Sequence, residues 1–208
     1  MTNPTLNSFS KNDFEIIKRE VPYQGIFRMA VYTYRFKLFN DGWSKQIVRE
    51  VMERRSAVAI LPYDPISDKV ILIGQFRVGA INQSNPWLIE IVAGILDTED
   101  PPSSVAIREA KEEANCDIID LHPISEYFVS PGGCNEYVWV FCGCVDATNA
   151  GGIHGLQDED ENIRVLALDA EQAFQLLNEG KIVTSPAIVS LQWLQLNRTW
   201  LRKKWQKK

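Results

Sequence analysis

The sequence predicts an α/β chain that begins with a small β-sheet, and three features carry that prediction. The first fifty-odd residues are dense in aromatic and β-branched side chains around a hairpin turn. From Ser56 onward come short unbroken apolar runs, as strands buried on both faces require. Between and after these runs lie helical stretches, one entered through Pro101-Pro102, one over 170–178 and one over 185–204. With 208 residues, 45% hydrophobic and 24% charged, the chain has the composition of a soluble globular protein: one domain, or one with a small extension. A net charge of −5 argues against a nucleic-acid or membrane partner. The start Met-Thr-Asn-Pro-Thr-Leu-Asn has no signal-peptide pattern, and no apolar run approaches the length of a membrane span. Cys116, Cys134, Cys142 and Cys144 form no Cys-x-x-Cys pair, so reduced thiols in a cytoplasmic protein are expected.

In chain order, 14–19 and 27–36 read as strands separated by a turn near Gly25. Asn40-Asp41-Gly42 is a hairpin signal, with 46–54 as the returning strand. So small a sheet is not self-sufficient, and it is expected to pack on the rest of the chain or on a second copy. Residues 1–55 are therefore taken as an N-terminal β-rich domain and 56–208 as the main domain. The run Arg49, Glu50, Glu53, Arg54, Arg55 is either a solvated strand end or an anion site.

Buried strands are expected at 57–61 and 70–73, joined by the turn at 64–68. Arg77 ends the second strand, either solvated or offering its fork of donors to a phosphate. A single strand over 86–93 runs into Gly94, and Glu90 within it needs either a partner or a cleft. Prolines suit the first turn of the next helix, whose amides lack intrahelical acceptors anyway. Val105, Ala106, Ala110 and Ala114 give that helix a packing face, and Asn115 accepts the left-handed conformation that stops it. Strands over 121–129 and 137–145 flank the tight loop Ser130-Pro131-Gly132-Gly133-Cys134-Asn135-Glu136. The glycine-rich acidic stretch 151–162 is either a solvated linker or a lid carrying carboxylates to a metal. A strand over 163–168, a short helix over 170–178 stopped at Gly180 and a long helix over 185–204 complete the chain. On the last helix Val189, Trp193, Leu196 and Trp200 form a stripe facing the core or a partner, and Arg202-Lys203-Lys204 suits its negative end.

The chemistry is concentrated at 94–116. Glu109 and Glu113 lie four residues apart on one helix face, with Glu112 beside them at the three-residue spacing, and only Lys111 is interleaved. Carboxylates crowded this tightly suit a hard divalent cation such as Mg²⁺, shared with substrate phosphates.

Gly94, five residues, Asp100, seven residues and then Arg108-Glu109-Ala110-Lys111-Glu112-Glu113-Ala114-Asn115-Cys116 resembles the signature of the Nudix hydrolases, Gly-x5-Glu-x7-Arg-Glu-U-x-Glu-Glu-x-Gly-U with U aliphatic. The departures are Asp100 for a glutamate that in the family braces the box arginine, Ala110, Asn115 for glycine, and Cys116. Pro131, the loop Ile153-His154-Gly155-Leu156 running into acids, and the β-rich start resemble the ADP-ribose pyrophosphatase branch. The resemblance implies an α/β/α sandwich around a mixed β-sheet, preceded by a small N-terminal antiparallel β-sheet domain. It also implies a homodimer in which the N-terminal sheet of one chain helps build the other's site.

Its implied reaction is Mg²⁺-dependent hydrolysis of ADP-ribose to AMP and ribose 5-phosphate, with about two or three ions and Mn²⁺ as a substitute. Metal ligands carried over from the resemblance are the Ala93 carbonyl, Glu109, Glu112, Glu113 and Glu161. Glu159 is favoured over Glu161 as the base that takes a proton from the attacking water. Arg49 and Arg77 would grip phosphates, Phe27 would contact adenine, and Gly133 and Glu136 would complete the substrate contacts. Two alternatives stay open: hydrolysis of another nucleoside-diphosphate sugar such as a GDP-sugar, or a module that binds ADP-ribose without cutting it.

Overall fold

Alternating apolar residues give the strands of the larger sheet two buried faces, and that alternation sets its layers. The computed structural model describes residues 9–97, 99–156 and 160–206. The chain divides into two units, one comprising the chain up to Arg55 with Phe128–Glu136, the other Ser56–Tyr127 with Tyr137 onward.

The first unit is an antiparallel sheet of β1 (Phe14–Gln24), β2 (Arg28–Phe36) and β3 (Ile47–Glu53), in that order. Registers such as Ile16↔Tyr34 and Tyr32↔Arg49 fix the pairing. The turn at Asp41 and Gly42 has φ of 67° and 83°, as the Asn-Asp-Gly signal requires. Few of its side chains are buried, and Ile16, Ile26, Phe39 and Val48 are exposed. In the run 49–55, read as either a solvated strand end or an anion site, Glu53 is buried, held by Tyr32, Arg19 and Arg28. Hydrogen bonding to Arg19 and Tyr32 holds its carboxyl below the usual range. The loop carrying Pro131 was expected within the main domain. Its turn forms, but Met52 N–H donates to the Gly133 carbonyl at 2.8 Å and Asn135 N–H to the Met52 carbonyl at 3.3 Å, tying the loop to β3.

The second unit contains β4 (Ala57–Asp64), β5 (Lys69–Phe76), β6 (Trp87–Glu90), β7 (Val92–Ile95), α1 (Pro102–Ala114), β8 (Asp120–Phe128), β9 (Tyr137–Cys144), β10 (Gly152–His154), β11 (Ile163–Asp169), α2 (Ala170–Asn178) and α3 (Ser185–Trp205). Its strand order is β10-β11-β5-β4-β9-β8. β4 runs parallel to β9 and antiparallel to β5, so the sheet is mixed. β4 and β5 pair only at Tyr63 and Asp64, then part: β7 pairs with β4 over Ala57–Ile60, while β6 pairs with β5 over Ile73–Phe76. The expected single strand over 86–93 is therefore two, because its halves have different partners in the fork. β10 lies where only a loop was expected; Gly152 and Ile153 pair with Val165 and Arg164.

Val58 and Ile60 of β4, with Ile71 and Ile73 of β5, face α1 through Val105, Ala106 and Ala110. The intervening Ala59, Leu61, Tyr63, Val70 and Leu72 face α2 and α3 through Ala173, Phe174, Leu191 and Leu194. A fully buried aliphatic side chain of this size contributes about 1.5–3 kcal/mol, so the two layers carry most of the stability. The result is an α/β/α sandwich. The expected stripe on α3 is offset from its core: Leu196 and Trp200 are exposed, and the sheet is met by Ala187, Ser190, Leu191, Leu194 and Leu201. The basic end of α3 does more than face the helix dipole, since Arg198 pairs with Asp68 and Glu171, and Arg202 Nε donates to the Pro65 carbonyl at 2.9 Å. No helix among the described residues is long and apolar enough to cross a membrane.

Candidate active site

The fork in the sheet delivers Ala93 and Gly94 to the face of α1. A side chain at Gly94 would put its Cβ 2.2 Å from Glu109 Cδ, so only glycine lets β7 and α1 come this close. One helical turn on, Glu113 is 3% exposed and accepts a hydrogen bond from Ala93 N–H at 3.1 Å. Burial pushes its carboxyl up to about 8; the Ala93 bond opposes this, while Glu161 and Glu109 add to it. Glu109 is raised as well, by burial first, with Arg108 opposing and Glu112 and Glu161 adding. α1 stops where expected, with Asn115 left-handed at φ 49°, Asn115 N–H bonded to the Lys111 carbonyl and Cys116 N–H to that of Ala110.

Arg108 is the counter-charge of the cluster. Its Nη2 lies 2.9 Å from Glu109 Oε1 and 3.7 Å from Asp97 Oδ1, and its Nε 3.8 Å from Glu112 Oε2. Glu161 closes its own loop: Leu156 N–H donates to Glu161 Oε2 at 3.1 Å, and Glu161 N–H to the Leu156 carbonyl at 3.2 Å. Gly155, at φ 101°, permits this turn, and a Cβ there would lie 2.7 Å from Glu161 Cβ. Glu159, the expected base, lies outside the described residues.

Among the described residues, no three acidic, histidine or cysteine side chains already stand in a metal-holding group. Glu109 is turned to Arg108, and Glu161 accepts from the Leu156 amide of its own loop. The donor chemistry nonetheless fits a hard divalent cation. Glu161 bears electrostatically on both Glu109 and Glu113, and Glu113, the most buried of them, accepts from one amide among the described residues. Oxygen donors of this kind are those that Mg²⁺ takes.

Arg77 points its Nε at Glu90 Oε2, 2.7 Å away, which settles Glu90 as a paired carboxylate. Arg77 also bears electrostatically on Glu113, so it belongs to the same neighbourhood. The remaining expected contacts are in the first unit. Phe27 lies under the guanidinium of Arg54, whose Cζ is 5.0 Å from the ring centroid, and Arg54 Nη2 is 3.2 Å from Glu136 Oε1. Gly133 is exposed, and a Cβ there would meet nothing within 4 Å. Arg49, exposed on β3, donates to its neighbour's carbonyl at Val48, 2.8 Å away. Arg54 and Asp97 were not singled out from sequence. Arg54 was hidden in a charged run, and Asp97 lies between the glycine and the acid of the motif without a fixed place in it.

The model of the NUDIX domain matches residues 53–205. The chain belongs to the NUDIX domain family. It is one of that family's enzymes, and this Nudix enzyme is 45% identical over 199 residues to the ADP-ribose pyrophosphatase of Escherichia coli (strain K12), covering 95% of each chain. It is 39% identical over 206 residues to the ADP-ribose pyrophosphatase of Haemophilus influenzae, covering 97% of this chain and 95% of the relative. A GDP-mannose pyrophosphatase of Enterobacter sp. (strain 638) is 36% identical over 187 residues, covering 88% of this chain and 95% of its own. The Nudix fold also matches the crystal structure of an ADP compounds hydrolase with a TM-score of 0.68 at 21% identity, covering 95% of this chain and 99% of the other.

Proposed function

We propose that this Nudix enzyme hydrolyses the pyrophosphate bond of ADP-ribose to AMP and ribose 5-phosphate with Mg²⁺ bound at Glu109, Glu113 and Glu161, Glu112 and the Ala93 carbonyl nearby. The observation that carries the reading is Glu113, a buried carboxylate beside two others with one amide as partner among the described residues. Such a group is costly unless a cation joins it. The full-length similarity to two ADP-ribose pyrophosphatases supports the substrate.

When bound, Mg²⁺ supplies positive charge against the pyrophosphate oxygens. The chain's own residues do the rest. Arg77 grips phosphate; in the N-terminal unit, which one chain lends to the other's site, Arg49 is the phosphate contact, Phe27 the adenine contact, and Gly133 and Glu136 the remaining substrate contacts. Glu159, with Glu161 as the other candidate, takes a proton from water as the water oxygen attacks phosphorus. The P–O bond to the departing phosphate then breaks, and that oxygen leaves with its electron pair. We further propose a cytoplasmic homodimer with exchanged N-terminal sheets, a reading supported by the exposed Ile16, Ile26, Phe39 and Val48 and by the four buried cysteines.

The deciding experiment is a product-resolved hydrolysis panel of ADP-ribose, other ADP-sugars and GDP-mannose, with Mg²⁺ or EDTA. AMP from ADP-ribose, abolished by EDTA, is the expected result. Preference for GDP-mannose, a reading favoured by the 36% identical relative, would replace the substrate. Binding without turnover would replace the activity.

A further inference from the structure

We propose that Gln75 is a further substrate-contacting residue, whose side-chain amide donates a hydrogen bond to a phosphoryl oxygen of the bound pyrophosphate beside Arg77. The inference rests on the reading above that this site holds the pyrophosphate of a nucleotide sugar.

Strand alternation places the side chain. Ile71 and Ile73 of β5 pack in the layer that holds α1, and residues two apart on a strand share a face, so Gln75 and then Arg77 continue that row. Phe76 belongs to the other face, where it meets Trp87 edge-on with ring centroids 5.2 Å apart. On β6, Leu88 stands opposite Gln75 and Glu90 opposite Ile73. On the far side of β5, Gly74 pairs with Arg164 of β11, and that strand begins at the buried Ile163, two residues after Glu161. Gln75 is therefore set between Arg77, Glu90 and the strand that follows the acidic loop. It lies on the α1 side of the sheet, where Arg77 bears electrostatically on Glu113.

An amide is a costly filler for such a place. Gln75 is 8% exposed, and its Nε2 has no hydrogen-bond partner among the described residues. A buried donor left unmet destabilises the fold, and an aliphatic side chain like those of Ile71 and Ile73 would avoid that cost. The carboxylates of this layer accept from other groups: Glu90 from Arg77 Nε at 2.7 Å, Glu113 from Ala93 N–H at 3.1 Å and Glu161 from Leu156 N–H at 3.1 Å. What the amide lacks is an acceptor that arrives with a ligand, and the oxygens of a pyrophosphate are acceptors. A primary amide also offers its two N–H groups without a charge. Beside the Arg77 guanidinium it adds a directed bond to an anion, and it does so without repelling a divalent cation held by Glu109 and Glu113.

The test compares the full-length protein with its Gln75→Met and Gln75→Glu variants. It measures melting temperature in EDTA, hydrolysis of ADP-ribose and of GDP-mannose with Mg²⁺, and inhibition of that hydrolysis by inorganic pyrophosphate and by the free nucleoside. Methionine is close to glutamine in length and offers no donor. Gln75→Met is expected to raise KM and the pyrophosphate inhibition constant about tenfold, with kcat within about threefold and the nucleoside constant unchanged. Gln75→Glu keeps the shape but puts a negative charge where the donors were, so it should lose more on the same two constants. The melting temperature of Gln75→Met in EDTA should hold or rise, because the unmet donor is gone. Unchanged KM and pyrophosphate inhibition in Gln75→Met would overturn the proposal. So would equal losses for pyrophosphate and nucleoside, which report a change in the shape of the site, or a lower melting temperature with unaltered kinetics, the mark of an amide that only supports the fold. If ADP-ribose is cut and both variants match the parent, the proposal alone fails. If the parent cuts GDP-mannose and not ADP-ribose, the substrate reading fails, and the same constants measured on GDP-mannose decide Gln75. If the parent cuts neither, both readings fall.

Discussion

Gly94 has no side chain because Glu109 occupies the place of one, and this contact is the tightest constraint in the motif. Gly94→Ala is expected to push Glu109 aside, costing about 1–3 kcal/mol of stability. Activity should fall by about a hundredfold or more if Glu109 must hold its place to within an ångström. Chemical denaturation and initial rates read the two effects separately. Glu113→Gln separates them in the opposite direction. Replacing a buried acid by a neutral group of the same shape removes a desolvation cost. The melting temperature without metal is therefore expected to hold or rise while turnover is lost; a variant that stays active would remove Glu113 from the site. At this scale the sequence was legible wherever spacing alone sets geometry. Four residues of helix put Glu109 and Glu113 on one face, and Asn115 took the left-handed conformation that its short polar side chain tolerates. It was not legible where a partner comes from afar, as with Arg54 on Glu136 or Arg77 on Glu90.

Elements show the same division. α2 starts and stops at Ala170 and Asn178 as expected, because Asp169 caps it with Gln172 and Gly180 at φ 69° lets the chain leave. The break between β6 and β7 has no local mark, since Ile91 is as apolar as its neighbours; it exists because β4 and β5 diverge and each takes one half. On α3 the stripe is split: Trp193 packs against the core while Leu196 and Trp200 are exposed, and the core itself is met by Ala187, Leu191, Leu194 and Leu201. What anchors α3 is charge. Asp68 is raised by burial but lowered more by hydrogen bonds from Arg198 and Tyr63, so its carboxyl sits below the usual range. A depressed acid contributes stability that is present above its unfolded value, near pH 4, and lost as pH falls through the folded one. Thermal melts across the acid range are expected to show that loss, and Asp68→Asn should flatten it. Arg198→Ala leaves Asp68 part-buried without its main partner and is expected to cost about 2 kcal/mol in urea titrations.

On the scale of the whole molecule, the larger unit carries its own two-layered core, whereas the three-stranded sheet leaves Ile26 at 95% and Phe39 at 80% exposure. Apolar surface of that extent is unusual on a lone small sheet. Light scattering is expected to give twice the 23.7 kDa chain mass, and a fully active monomer would refute the shared site.

The four thiols give a practical route to that question. Cys116, Cys134, Cys142 and Cys144 are all buried, and burial pushes Cys116 up to about 11 and raises Cys142 as well. Thiolate is the species that reacts with maleimides, so the native cysteines are expected to stay silent until the protein unfolds. A single cysteine introduced at the 87% exposed Leu196 would then take a spin label or a fluorophore by itself, with no need to strip the natural ones. The same burial that makes these residues mute leaves the protein ready for distance measurements between copies in solution.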